Sequence, residues 1–195
     1  MSFIESMFSL EGKAVVITGG GGGIPGNLAV AFAKAGAAVV LWGRGTNHPM
    51  DEAARQVAEA SGGGRVFAVT VDTGSRDACE AALLESERMV GKAPDILVNG
   101  VGGNRGKTPF VEVDELLFKG ILELNLLAGL VTPTRVFAKY WIDKGIKGNV
   151  INMTSMTSYR PFPEPGHTTR PRRAFSTSTR RSPRSSRPTE SESTP

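Results

Sequence analysis

The sequence predicts an α/β fold, a doubly wound parallel sheet with helices on both faces. Three observations carry this expectation. Short apolar runs bounded by glycine or polar residues recur between residues 14 and 153, as strands buried on both faces require. Ala-rich or amphipathic stretches separate them, so strands alternate with helices. Five consecutive glycines follow the first apolar run, where a strand would hand over to a helix.

In chain order, residues 14–18 (AVVIT) are the first expected strand and the Ala-rich residues 28–35 the first helix. Residues 38–42 form a second buried strand. Residues 51–60 form a helix whose first turn carries Asp51 and Glu52, the sign the helix dipole favours there. A third strand covers 66–71, and a helix over 75–90 has Ser75 as its N-cap. A fourth strand covers 95–99. Residues 116–144 are mostly helical, with an interruption expected around Pro133, and 149–153 form the fifth strand. Right-handed crossovers between parallel strands then give the doubly wound arrangement.

Composition bounds the rest. The chain has 195 residues, enough for one full domain and too few for two ordinary ones. No contiguous apolar run reaches the roughly 18 to 20 residues of a membrane span, so no membrane association is expected. The first ten residues lack the basic start and apolar stretch of a secretory signal. The single cysteine, Cys79, excludes a disulfide framework and fits a reducing cytoplasm. With two histidines, His48 and His167, lacking partners at ligand spacing, no metal site is expected.

The chain divides at about residue 164. Residues 164–195 hold seven Arg and three acidic residues, so the net charge of +4 sits entirely there; residues 1–163 carry 16 basic and 16 acidic side chains. Seven Ser, six Thr and five Pro complete a segment whose only large apolar side chain is Phe175. It cannot bury enough surface to offset ordering entropy, and a disordered tail is expected. Its charge would suit a nucleic-acid backbone, but no tyrosine or tryptophan interleaves the arginines for base stacking, so no specific nucleic acid is expected.

The glycine run is the main functional signal. Glycines between a strand and a helix present backbone N–H groups to a phosphate with no Cβ in the way, and the helix N-terminus adds a favourable dipole. Thr18, Gly19, Gly20, Gly21, Gly22, Gly23 and Ile24 are the candidate residues. The segment resembles the Thr-Gly-x-x-x-Gly-x-Gly loop of the short-chain dehydrogenase/reductases. Thr18, Gly19 and Gly23 match, whereas Pro25 stands at the last glycine and Gly26 follows it. The resemblance covers about residues 8–162. It implies a Rossmann-type sheet of order 3-2-1-4-5, an NADP or NAD cofactor, a small-molecule substrate and a family that is usually homo-oligomeric. Relative to that family the first domain, residues 1–163, lacks strands six and seven.

The resemblance also assigns residues. Trp42-Gly43-Arg44 ends the second strand without the carboxylate that would bind a ribose 2′-OH, and Arg44 could pair with a 2′-phosphate, which favours NADP over NAD. Asp72 matches the family aspartate beside the adenine ring. Asn99, Gly100, Val101 and Gly102 resemble the Asn-x-Ala-Gly segment that lines the cofactor pocket. With Gly103 and Asn104 they are similar to members acting on sugar acids such as mannonate or gluconate. Asn125 matches the asparagine supporting a proton-relay water, and Ser155 the serine orienting the substrate oxygen.

The catalytic pair breaks the pattern. A Tyr-x-x-x-Lys pair is implied about thirteen residues after the serine, where Thr168 and Arg172 stand. A threonine hydroxyl is too weak an acid to replace a phenol. Joining the last base of each codon to the first two of the next from His167, the degenerate code permits His-Tyr-Ser-Ala-Ala-Lys-Gly, which contains the missing pair. The tail is therefore expected to be an out-of-frame reading of a dehydrogenase gene. Three function readings stand: an NADP-preferring oxidoreductase, an inactive dinucleotide-binding remnant, and a basic-tailed nucleic-acid binder.

Overall fold

The computed structural model describes residues 3–46, 49–104, 109–156 and 159. Its strands are β1 Ala14–Thr18, β2 Ala38–Gly43, β3 Val66–Thr70, β4 Ile96–Asn99 and β5 Asn149–Asn152. They form one parallel sheet in the order β3-β2-β1-β4-β5, as the resemblance implies. Val16 of β1 pairs with Val40 of β2 and Leu97 of β4. β1 is buried at every position and β2 at all but Gly43, which is why both read as unbroken apolar runs. β5 is mostly exposed, and among the described residues it pairs only with β4.

The helices are α1 Phe3–Phe8, α2 Gly23–Lys34, α3 Met50–Ala60, α4 Arg76–Val90, α5 Glu115–Leu122 and α6 Thr132–Lys144. The sequence reading did not include α1, whose six residues are too few to establish a helical period. α2 starts earlier than the expected residue 28, because Gly23, Ile24 and Pro25 form its first turn. Glycine propensity hides that turn, while proline suits it, since its missing N–H needs no partner there. Ser75 caps α4 as expected, its hydroxyl accepting the Ala78 N–H.

Residues 115–144 are helical throughout, but not uniformly. A nine-residue π-helical segment, Glu123–Val131, joins α5 to α6. Pro133 does not interrupt the helix. It sits at the start of α6, directly after the π segment, so its missing N–H coincides with the change of hydrogen-bond pattern. An 18-residue window of this 30-residue stretch has a mean hydropathy of 1.4, so by length and composition alone the stretch is apolar enough to cross a membrane. That corrects the sequence reading, which looked for an uninterrupted apolar run and passed over a stretch punctuated by Lys119 and Glu123. Here Ile121, Val136, Phe137 and Trp141 of the stretch are buried.

Alternate residues of the strands feed two cores, following the period of two. Val16, Val40, Trp42, Val69 and Leu97 join Leu83, Phe137 and Trp141 of α4 and α6 on one face. Val15, Ile17, Val39, Leu41 and Val98 join Ala29 and Val57 of α2 and α3 on the other. The expected domain boundary at residue 163 and the tail at 164–195 lie outside the described residues.

Candidate dinucleotide site

Chain order reverses at β1: β2 and β3 lie to one side, β4 and β5 to the other. A crevice opens at such a switch point, beyond the carboxyl ends of the strands. In this molecule it is a cleft of about 1240 Å³. Gly19, Gly21, Gly22, Gly23 and Ile24 border it at its centre, Arg44 and Asp72 on the β2–β3 side, and Gly100, Val101, Gly102, Asn125 and Ser155 on the β4–β5 side. These residues come from the loops after all five strands, the first turn of α2 and the π segment, so the fold alone gathers them.

Three candidates stand behind the cleft wall instead. Thr18 is fully buried, and its Oγ1 accepts the N–H groups of Gly100 at 3.0 Å and Val101 at 3.3 Å. It ties the glycine turn to the loop after β4. The Gly20 N–H donates to the Trp42 carbonyl, fixing the turn to β2. Asn99, 2% exposed, donates from Nδ2 to Thr134 Oγ1 and Asn152 Oδ1. It thereby braces β4 against β5 and α6. Its own Oδ1 has no hydrogen-bond partner among the described residues.

The glycine turn has the shape that an anion needs. Gly19 takes φ +70°, and a Cβ there would come within 3.1 Å of the Gly100 carbonyl. Gly22 is the N-cap of α2 and offers no side-chain acceptor, so no side chain competes for the first-turn amides. Gly23 and Ile24 carry N–H groups in that turn; Pro25 carries none. A pyrophosphate fits this cradle. Arg44 and Thr46 are exposed at the end of β2, and no carboxylate lies among residues 42–46. Asp72 is oriented by its own turn, its Oδ1 accepting the Gly74 N–H at 2.9 Å.

On the other side, Asn125 lies in the π segment and holds the main chain of Gly103 at two points. Its Nδ2 donates to the Gly103 carbonyl at 2.9 Å, and its Oδ1 accepts the Gly103 N–H at 3.0 Å. Ser155 is partly buried, three residues beyond the end of β5. Thr168 and Arg172 lie outside the described residues. A Tyr-x-x-x-Lys spacing does occur at Tyr140 and Lys144 of α6, but neither borders the cleft. Lys144 Nζ instead meets the Glu87 carboxylate at 2.9 Å and the Tyr140 hydroxyl at 3.1 Å. Burial raises the Tyr140 pKa, the opposite of what a catalytic phenol needs.

The sequence reading missed several lining residues. Thr46 follows Arg44 in the same loop and was within reach of that argument. Leu124, Leu127 and Ala128 flank Asn125 on its helix, and only the packing of that helix shows that they border the cleft.

The short chain dehydrogenase family profile matches residues 13–166. The 7alpha-hydroxysteroid dehydrogenase of Escherichia coli K12 is 34% identical over 164 residues, covering 80% of this chain and 58% of that enzyme. A short-chain type dehydrogenase/reductase from Mycobacterium marinum superposes with a TM-score of 0.79 at 25% identity, over 90% of this chain and 69% of that one. A gluconate 5-dehydrogenase from Burkholderia cenocepacia, solved with NADP and tartrate, gives a TM-score of 0.75 at 28% identity, over 88% of this chain and 65% of that one. Among curated relatives, the chain spans as little as 24% and at most 59% of the length of those matched most strongly.

Proposed function

The chain belongs to the short-chain dehydrogenase family, and from that premise we propose that its cleft takes NADP(H) in preference to NAD(H). The ancestral reaction is then hydride transfer between that cofactor and an alcohol or ketone carbon of a sugar acid or similar small molecule. The observation that supports this most directly is the uncapped glycine turn at the switch point, with Arg44 and no carboxylate at the neighbouring strand end. When bound, the cofactor supplies the hydride donor or acceptor; the remaining work falls to side chains and amides of this chain.

The Gly23 and Ile24 amides hold the pyrophosphate, Arg44 pairs with the 2′-phosphate, and Asp72 lies beside the adenine. Gly100, Val101 and Gly102 line the nicotinamide side. Ser155 orients the substrate oxygen, and Asn125 supports a water near it. The sugar-acid class rests on the likeness of residues 99–104 to such members and agrees with the gluconate 5-dehydrogenase named above. A single cysteine, Cys79, suits a reducing cytoplasm.

Without a tyrosine and lysine at positions 168 and 172, this chain binds the cofactor and turns substrate over poorly. Loss of general acid–base catalysis lowers a rate by about 10² to 10⁴. We read residues 164–195 as out of frame, and the nucleotide sequence of the locus tests that directly. Fluorescence titration with NADPH and NADH, run beside a turnover assay on gluconate, tests the rest. NADPH should bind more tightly, and Arg44→Ala should weaken NADPH by about tenfold while leaving NADH unchanged. No binding of either cofactor would sink the reading; turnover at a full dehydrogenase rate would defeat the impairment.

A further inference from the structure

Building on the dinucleotide reading above, we propose that Gly100 and Gly129 are positioning residues. By lacking side chains they let the loop after β4 seat as a rigid ledge for the nicotinamide half of the cofactor.

The loop is pressed from both sides. A Cβ on Gly100 would lie 2.5 Å from the Thr18 carbonyl oxygen and 2.8 Å from Pro25 Cγ. A Cβ on Gly129 would lie 2.5 Å from the Val101 carbonyl oxygen and 3.0 Å from that of Leu124. Real Cβ atoms essentially never approach another heavy atom within 3.0 Å, so neither position admits a side chain without moving backbone. Gly129 is buried in the π segment, whose i→i+5 bonding widens the turn that brings it against Val101.

Polar contacts fix the same loop. Thr18 Oγ1 holds the amides of Gly100 and Val101, and Asn125 holds Gly103 by both main-chain groups. Pro25, which replaces the last glycine of the motif, lays its ring against Gly100. The proline and the absent Cβ at residue 100 therefore fit one another. The ledge lies on the β4–β5 side of the cleft with Ser155, across the glycine turn from Arg44 and Asp72. Displacing it changes the room for the nicotinamide ring, whereas Arg44 and Asp72 stand on separate turns after β2 and β3.

The test is calorimetric titration of the full chain and of Gly100→Ala and Gly129→Ala with NADP⁺ and with its adenosine half, adenosine 2′,5′-bisphosphate. NAD⁺ and ADP form the matching pair should the parent prefer the unphosphorylated cofactor. Either substitution should weaken the dinucleotide by about tenfold or more, the scale of a forced overlap, and leave the adenosine half within about twofold. Retained binding of the half ligand also shows that the variant is folded. Selective loss in either variant supports the ledge. Unchanged dinucleotide affinity in both, or parallel loss of both ligands in both, overturns it. A parent chain that binds neither ligand fails differently, because it removes the dinucleotide reading itself.

Discussion

Trp42 stands one residue before the end of β2 with the whole indole buried, and its Nε1–H donates to Ser86 Oγ at 2.9 Å. Ser86 passes the hydrogen bond on to the Ala82 carbonyl, and the Phe137 ring packs against the indole at 5.5 Å. Ser86→Ala would leave the indole N–H without an acceptor in the core, at a cost of about 1 to 3 kcal/mol, read as a lower urea midpoint. Cys79 makes a second residue-scale prediction. Burial, with Asp72 and Glu80 nearby, pushes its thiol up to about 11. Only the thiolate attacks a disulfide reagent, so at pH 8 the native thiol should react far more slowly than the same thiol in urea, and the gap should narrow as pH rises toward 11. Equal rates at pH 8 would contradict the burial. At this scale the sequence was legible wherever a side chain acts on its own segment, as Ser75 does in capping α4. The Trp42–Ser86 bond joins positions 44 apart, and no local pattern announces it. Tyr140 and Lys144 teach the converse: the right spacing on a helix gives no catalytic pair when the helix carries it away from the cleft.

At the scale of elements, the strands were readable because each buried strand is a short apolar run and each run has clear borders. The start of α2 was not, because the glycines that make the phosphate turn also mask the first helical turn. The π segment was not legible either: its Leu-rich composition is that of an ordinary helix, and only the hydrogen-bond pattern distinguishes it. β5 gives the prediction that belongs here. Its residues are largely exposed, Ile151 at 42%, and one edge has no partner among the described residues. Unpaired strand edges recruit other chains, and a lysine on the strand is a common protection. If the edge recruits a second copy, Ile151→Lys should raise the monomer fraction in size-exclusion chromatography; an unchanged profile would overturn association through this edge.

For the molecule as a whole, the cleft is furnished by parts of unequal firmness. The turns after β1, β2 and β3 rest on the two buried cores, whereas Ser155 follows the exposed strand. Thermal unfolding should therefore be broad, and NADPH should sharpen it and raise the midpoint with ligand concentration, as mass action requires of a ligand that binds only the folded state. A midpoint that ignores NADPH up to saturating concentrations would argue against any such linkage.

The order of the strands along the chain has one more consequence. The turns after β1, β2, β3 and β4 that border the cleft all lie before residue 105, ahead of the long helix and of β5. The late segments still carry structural weight, because Phe137 and Trp141 of α6 complete the core beneath Trp42 and Asn125 holds the main chain of Gly103.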